Sequence, residues 1–426
     1  MVLLALGLLQ LDQEISARQA EHALPWWLFV DSSDAARTML GALASAMLTV
    51  ATLAFSILMV AVVQTANAYS PRILREYLAD TGNQHVLGIL IGTFLYTLLV
   101  LRRVEDVFIP MVASSVALLL SLVAVVAFVY FINHVAHSIE VSSMVVRIYE
   151  ESEELLDRLF PRHLGQPWRD GKVPDLPKGE PFLILTTKSG YIEAIASDPL
   201  LKAVTEADAV LRLERMIGDY VLEGTPLGSL WPAENADEAL QKEIQGAIVL
   251  GKERTMVEDL LFGVRQLSDV ALRALSPAVN DPATAVRCIN ALGSLLADMA
   301  RLPDISPYRC DQDGHLRVIA PGATFSEMIN LAFSPIRSYA AADLVSLLRL
   351  IEICTELSFV CHKAEQREAL WQHVSMVARA ADRNIVEPWD CHLINQRLRE
   401  AAAALEQDPE QVLLKVEQVE PERVER

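Results

Sequence analysis

The sequence predicts an α-helical transmembrane N-terminal domain of about four spans, the first truncated, joined to a cytoplasmic α+β part that contains a small β-barrel-like domain and a helical bundle. Three observations predict it. From Arg37 to Arg72 the chain runs TMLGALASAMLTVATLAFSILMVAVVQTANAYSP between the two arginines without a charged residue, longer than the roughly 20 apolar residues a spanning helix needs. Residues 86–101 and 107–132 come close to that length or exceed it. Charge then divides the chain. Residues 1–139 hold six Arg and no Lys against nine acidic residues, so most of the net charge of −19 falls after them. The 52% hydrophobic content and mean hydropathy of +0.29 are accordingly concentrated at the front.

The first apolar run, residues 2–11 (VLLALGLLQL), is too short to span and lacks the basic region and cleavage site of a secretory signal. It reads as an abbreviated span behind a start codon assigned late. Spans near 40–67, 86–101 and 107–133 follow. The segment 12–37 is acidic and carries LPWWLF, where Trp26 and Trp27 suit an aromatic belt, so it is placed outside. The loop SPRILREYLADTGNQH, with Arg72 and Arg75, then faces the cytoplasm, although Arg102 and Arg103 in the next loop oppose that orientation. The cysteines favour it. Cys288, Cys310, Cys354, Cys361 and Cys391 are odd in number, include no C-x-x-C pair and all lie after the spans, as reduced cytoplasmic thiols would.

On the second span Ser45, Thr49, Thr52 and Ser56 are spaced by four, three and four residues and share one helical face, which Gln64 and Asn67 extend. Two readings of this stripe stand. Small hydroxylated residues let helices approach and hydrogen-bond in lipid, which is the commoner use; alternatively the stripe lines a water-filled path in an oligomer and offers oxygen ligands to ions. No charge sits mid-span, which argues against a proton-coupled transporter. His134 and His137 close the last span as H-x-x-H, but with no third ligand nearby no metal site is predicted. Helical periodicity continues through VSSMVVRIYEESEELLDRLFP.

The soluble part divides into a helical extension and linker (140–181), a small β-domain (182–232) and a mostly α-helical domain (233–426). Pro and Gly dominate HLGQPWRDGKVPDLPKGEP, a linker by composition. FLILTT, YIEAIA and AVLRLE then cluster β-formers between turn residues. The pattern S-G-Y-I followed by G-D-Y-V-x-x-G-T-P-L is similar to the barrel-sandwich hybrid of lipoyl and biotinyl carriers. Lys202, however, lies in the helical stretch LLKAVTEAD, so no prosthetic group is expected. From Asp237 the period is again helical, with Leu240, Ile244, Ile248, Met256, Leu260, Leu261, Val264, Leu267 and Leu275 at core spacing. Pro277 ends that run, and Asp281-Pro282 caps and opens the next helix. Asp269, Arg273, Asn280, Asp281, Thr284 and Arg287 crowd this corner. As structure it is a capped turn; as function, Asp269, Arg273, Asn280 and Asp281 are candidates for ligand or cation binding. Cys354 and Cys361, seven apart, read as core.

The stretches FSILMVAVVQTANAYSPRILREYLAD, HVLGILIGTFLYTLLVLR, FINHVAHSIE and DLLFGVRQLSDVALRALSPAVNDPATAV resemble the predicted bacterial membrane proteins of domain of unknown function 2254. The resemblance implies a membrane part joined to a cytoplasmic α/β part and transfers no catalytic residue. No nucleophile elbow, phosphate loop, H-E-x-x-H or paired-cysteine site occurs. The expectation is therefore a non-enzymatic, homo-oligomeric protein of the bacterial inner membrane with no cofactor. Its partners are the lipid bilayer and, if it forms a pore, inorganic ions. The acidic balance of the soluble part argues against electrostatic binding to nucleic acid or to anionic lipid. The alternative is a membrane-anchored scaffold or sensor that binds a cytoplasmic partner.

Overall fold

The computed structural model describes residues 1–18, 32–68, 80–106, 108–138, 141–156, 158–168, 173–175, 177–254, 259–303 and 305–415. Trp26, Trp27, Arg72, Arg75, Met256 and the charged C-terminal end lie outside them, as do the side chains of Asn67 and His137. The chain divides into two units, Met1–Met144 and Val145–Arg426.

The first unit is four helices: α1 (Val2–Arg18), α2 (Ser33–Ala68), α3 (Thr81–Leu101) and α4 (Met111–Ser138). Three of them, over Ser33–Gln64, Thr81–Leu101 and Met111–Ala136, are long and apolar enough to cross a membrane. With 17 residues, α1 is shorter. One face of α2 packs on α3 and α4 through Met47, Ala54, Leu58, Leu90 and Phe131, and α1 joins them through Ala5, Leu9, Tyr96 and Ala113. Fully buried Ala36, Ala54, Ala117 and Ala124 let the backbones approach closely. Leu119, Leu122, Val126 and Val129 of α4 point outward, as lipid-facing residues do.

The open amides at the start of α4 find their acceptor on another helix. Asp12, 4% exposed, accepts from the N–H of Val112 at 3.0 Å and of Ala113 at 2.9 Å. A carboxylate at a helix N-terminus meets both the free donors and the positive end of the dipole. The Tyr96 hydroxyl completes the contact by donating to the Ala113 carbonyl at 2.9 Å.

The second unit begins within α5 (Val141–Leu156). Its larger sheet has the order β1-β8-β9-β4-β6-β2, from β1 (Gln166–Pro167), β2 (Phe182–Leu185), β4 (Val210–Leu213), β6 (Pro226–Trp231), β8 (Tyr308–Cys310) and β9 (Leu316–Ile319). All neighbours are antiparallel except β4 and β9, which pair in parallel at Leu211–Val318 and Arg212–Ile319. The smaller sheet sets β3 (Gly190–Ile195) between β5 (Tyr220–Val221) and β7 (Ile248–Gly251). Among the described residues neither sheet closes, so the barrel-like expectation is corrected: β3 leaves the larger sheet to pair elsewhere, and β1 and β2 remain edges. The two sheets share a core of Ile184, Ile192, Leu200, Leu211, Leu230, Ile244 and Val318 with α6 (Ser197–Glu206) and α7 (Glu238–Ala247). Lys202 lies on α6, 3.8 Å from Glu206.

Ile248 is on a strand, not on the helix its spacing suggested. α7 stops at Ala247, and the β-branched pair Ile248-Val249 crosses to β3, where Ile248 faces Ile195 and stays buried. On the other edge, the buried guanidinium of Arg309 donates from Nε to Leu164 O and from Nη2 to Arg162 O at 2.8 Å and Gly165 O at 3.0 Å. Gly165 has φ +53°, and a Cβ there would run into the Cys310 carbonyl, so the turn requires glycine.

The remaining helices are α8 (Leu260–Ala274), α9 (Pro282–Arg301), α10 (Phe325–Tyr339), α11 (Leu344–Ser358), α12 (Ala364–Asn384) and α13 (Pro388–Leu405). Aspartates spend part of the negative charge on caps: Asp237, Asp259, Asp281 and Asp343 accept from the first-turn amides of α7, α8, α9 and α11. A reciprocal Thr324–Glu327 box opens α10. Gly293 of α9 lies where a Cβ would collide with Ile353 of α11. Gly293→Val is therefore expected to cost about 1–3 kcal/mol by overpacking, read as a lowered unfolding midpoint of the full chain in detergent; an unchanged midpoint would contradict this close approach.

Candidate functional site

The predicted stripe does face one way. Ser45, Thr49, Thr52, Ser56 and Gln64 are all exposed, while Ala44, Met47, Ala54, Leu58 and Ala61 form the opposite, buried face of α2. The hydroxyls satisfy their donors locally: Thr49 to Ser45 O, Thr52 to Leu48 O and Ser56 to Thr52 O, each at 2.9 Å. A recess of about 290 Å³ lies beside Ser56, Val60, Gln64 and Val135. His134 sits 3.1 Å from Asp80, the cap of α3, and stacks on Tyr130.

The corner between α8 and α9 brings its residues together as a turn. Asn280 has φ +48°, and the Asp281 N–H reaches back to Ala274 O at 2.8 Å. Asp281 accepts from the Thr284 hydroxyl at 2.6 Å and the Thr284 N–H at 3.1 Å. Those bonds, with a smaller contribution from Arg287, hold its carboxyl below the ordinary carboxylate range. Asp269 is half-buried and engaged, Arg273 is exposed and engaged, and Asn280 is exposed. The capping role accounts for Asp281 without a ligand.

Two features escaped the sequence. The first is a cavity of about 460 Å³ walled by Leu159, Phe160 and Met216 on the sheet side and by Met299, Phe325 and Lys363 on the helix side. The N-termini of α10 and α12 both border it, so its apolar wall meets a polar end that carries Thr324, Glu327, Lys363 and Glu365. The second is the β8–β9 hairpin, CDQDGH, where ligand atoms of Asp311, Asp313 and His315 lie within 4.8 Å of one another. D-x-D-G-H between two short β runs was the available signal. Asp311 is already used: Oδ1 accepts from the N–H of Asp313 (3.0 Å) and His315 (2.9 Å), and Oδ2 from Arg317 Nε at 2.7 Å. Burial raises its pKa, but the Arg317 and His315 bonds outweigh burial and lower it. Asp311 therefore organises the turn first.

Asp281→Ala is expected to destabilise the chain by about 1 kcal/mol. Because the folded pKa is depressed, the contribution is complete above the unfolded carboxylate value near ~4 and fades as pH falls through the lower folded value. The midpoint gap between wild type and variant should accordingly narrow on acidification; a gap independent of pH would refute this role.

Residues 1–356 match the family described as "Predicted membrane protein (DUF2254)". The chain is 30% identical over 375 residues to an uncharacterised protein of Mycobacterium bovis and to one of Mycobacterium tuberculosis, covering 85% of this chain and 71% of each relative. No solved structure matches it. With apolar helices long enough to span and a match over most of its length, the chain belongs to the DUF2254 family of predicted membrane proteins.

Proposed function

We propose that this protein is a non-enzymatic, multi-pass protein of the bacterial inner membrane that self-associates through the outward face of α2, with its soluble unit in the cytoplasm. The observation that carries the reading is the placement of the stripe. α2 is filled by its own neighbours on one side only, and the side bearing Ser45, Thr49, Thr52, Ser56 and Gln64 is free to meet other copies. In lipid such small hydroxylated faces pack against helices; arranged about an axis they present oxygen atoms to a lumen through which inorganic ions pass. α1 enters the bilayer as a fourth, shorter segment. Buried thiols support the cytoplasmic assignment: all five cysteines are free, and burial pushes Cys354 up to about 12 and Cys361 to about 11.

Thr49→Cys and Ser56→Cys should cross-link between copies in native membranes under mild oxidation, whereas Val126→Cys on the outward face of α4 should not. In liposomes, Thr49→Val with Thr52→Val should change ion flux. A monomer by light scattering would defeat self-association, and absence of flux from a cross-linking oligomer would defeat the pore alone.

The cavity favours a second reading, a membrane-anchored sensor. Its volume and mixed lining suit a small amphipathic molecule or a partner's side chain. Phe325→Trp would report occupancy by fluorescence.

A further inference from the structure

Several arginines of the second unit are matched to carboxylates. Arg349 meets Glu356 at 2.7 Å, Arg397 meets Glu400 at 2.8 Å, Arg317 meets Asp311 at 2.7 Å, and Arg254 meets Asp259. Arg337, Arg379 and Arg383 break this pattern, with no ion pair among the described residues. Their convergence follows from helix geometry. α10 and α12 are tied where Asn330 meets His373 at 3.0 Å. Seven residues further along each helix, two turns of rise, lie Arg337 and residue 380, so Arg337 arrives between Arg379 and Arg383, themselves one turn apart on α12. The repulsion is felt: burial first, then Arg383 and Arg379, lower the pKa of Arg337.

Two buried polar atoms along this pair of helices have no partner, Arg337 Nε and, two turns earlier, His373 Nδ1. His373 is 2% exposed. Asn330 donates its amide to Ser326 O at 2.7 Å, so its oxygen accepts from His373 Nε2 and leaves Nδ1 as a bare acceptor. Burial, then Arg337, lower the His373 pKa to about 4, which keeps the ring neutral. The helix dipoles offset part of the charge, since Arg337 and Arg383 lie in last turns, but their partial charges do not cancel three guanidiniums. Of the nearby acids, Asp382 accepts from the Lys415 N–H at 3.2 Å, and Asp382, Glu387 and Asp390 lie close enough to Cys391 to raise its pKa.

We propose that Arg337, Arg379 and Arg383 form a binding site for a phosphate group. The chemistry matches what is lacking. Phosphate oxygens accept from guanidinium forks, and one phosphate takes donors from several of them at once. A free phosphate compound and a phospholipid headgroup share this chemistry.

The full chain in uncharged detergent is titrated with inorganic phosphate against chloride of equal ionic strength, read by unfolding midpoint and by ³¹P line width. Wild type should gain stability and broaden the resonance. Arg379→Gln with Arg383→Gln should be at least as stable as wild type without phosphate, because repulsion is relieved, yet bind phosphate at least about tenfold more weakly. Nanodiscs of phosphatidylglycerol against phosphatidylcholine, free of inorganic phosphate, then separate the sources: stabilisation by the former lipid alone identifies a headgroup, and none identifies a soluble phosphate. A wild type indifferent to phosphate overturns the proposal. So does a double variant that retains the full phosphate response, or one less stable than wild type in its absence.

Discussion

Two residue pairs, Leu211 with Val318 and Arg212 with Ile319, decide the architecture of the second unit. Parallel strands cannot be joined by a tight turn, so the pairing of β4 with β9 demands a long crossover. That crossover contains β5, β6, α7, β7, α8, α9 and β8. The helices are therefore not an independent bundle appended to a β-domain; α8 and α9 lie within the path that the sheet needs to complete itself. The large cavity is a by-product of this arrangement. Its walls come from the turn before β1 and from residue 216 on one side, and from the starts of α10 and α12 on the other.

In the first unit a different constraint rules, because hydrocarbon offers no water to an unpaired donor. The hydroxyls of α2 answer it by bonding to their own helix, Thr49, Thr52 and Ser56 each to the preceding turn. The start of α4 answers it through Asp12, whose carboxyl oxygens accept from two of its open amides. Fully buried alanines stand among the inward residues and let the helices approach, while large apolar side chains such as Leu122 and Val126 cover the outside.

Much of this was legible in the sequence, and for local reasons. Three spans were visible as uncharged apolar runs, and the Asp281-Pro282 helix start was readable because a cap and its helix are neighbours. What failed was non-local. Ile248 keeps a helical spacing from Ile244 and changes state only because β3 waits for it more than fifty residues earlier. β8 and β9 are too short to announce themselves, and no pattern in 182–232 says that its sheet is finished by residues near 318. Of the candidate residues, the stripe was foreseeable as a face but not its outward direction, which depends on where α3 and α4 pack. The chamber and the arginine group draw on distant segments and leave no motif.

The segment after α5 reads by composition as a slack tether, rich in Pro and Gly. Arg309 changes its mechanical character. By grasping the carbonyl oxygens of Arg162, Leu164 and Gly165, with residues 166–167 paired on the sheet edge, it turns the first part of that tether into a fixed mount. Little loose chain is left between the end of α5 at Leu156 and the first bonded residues of the sheet. Composition alone would leave residues 162–167 as coil; one buried cation makes them part of the sheet's edge.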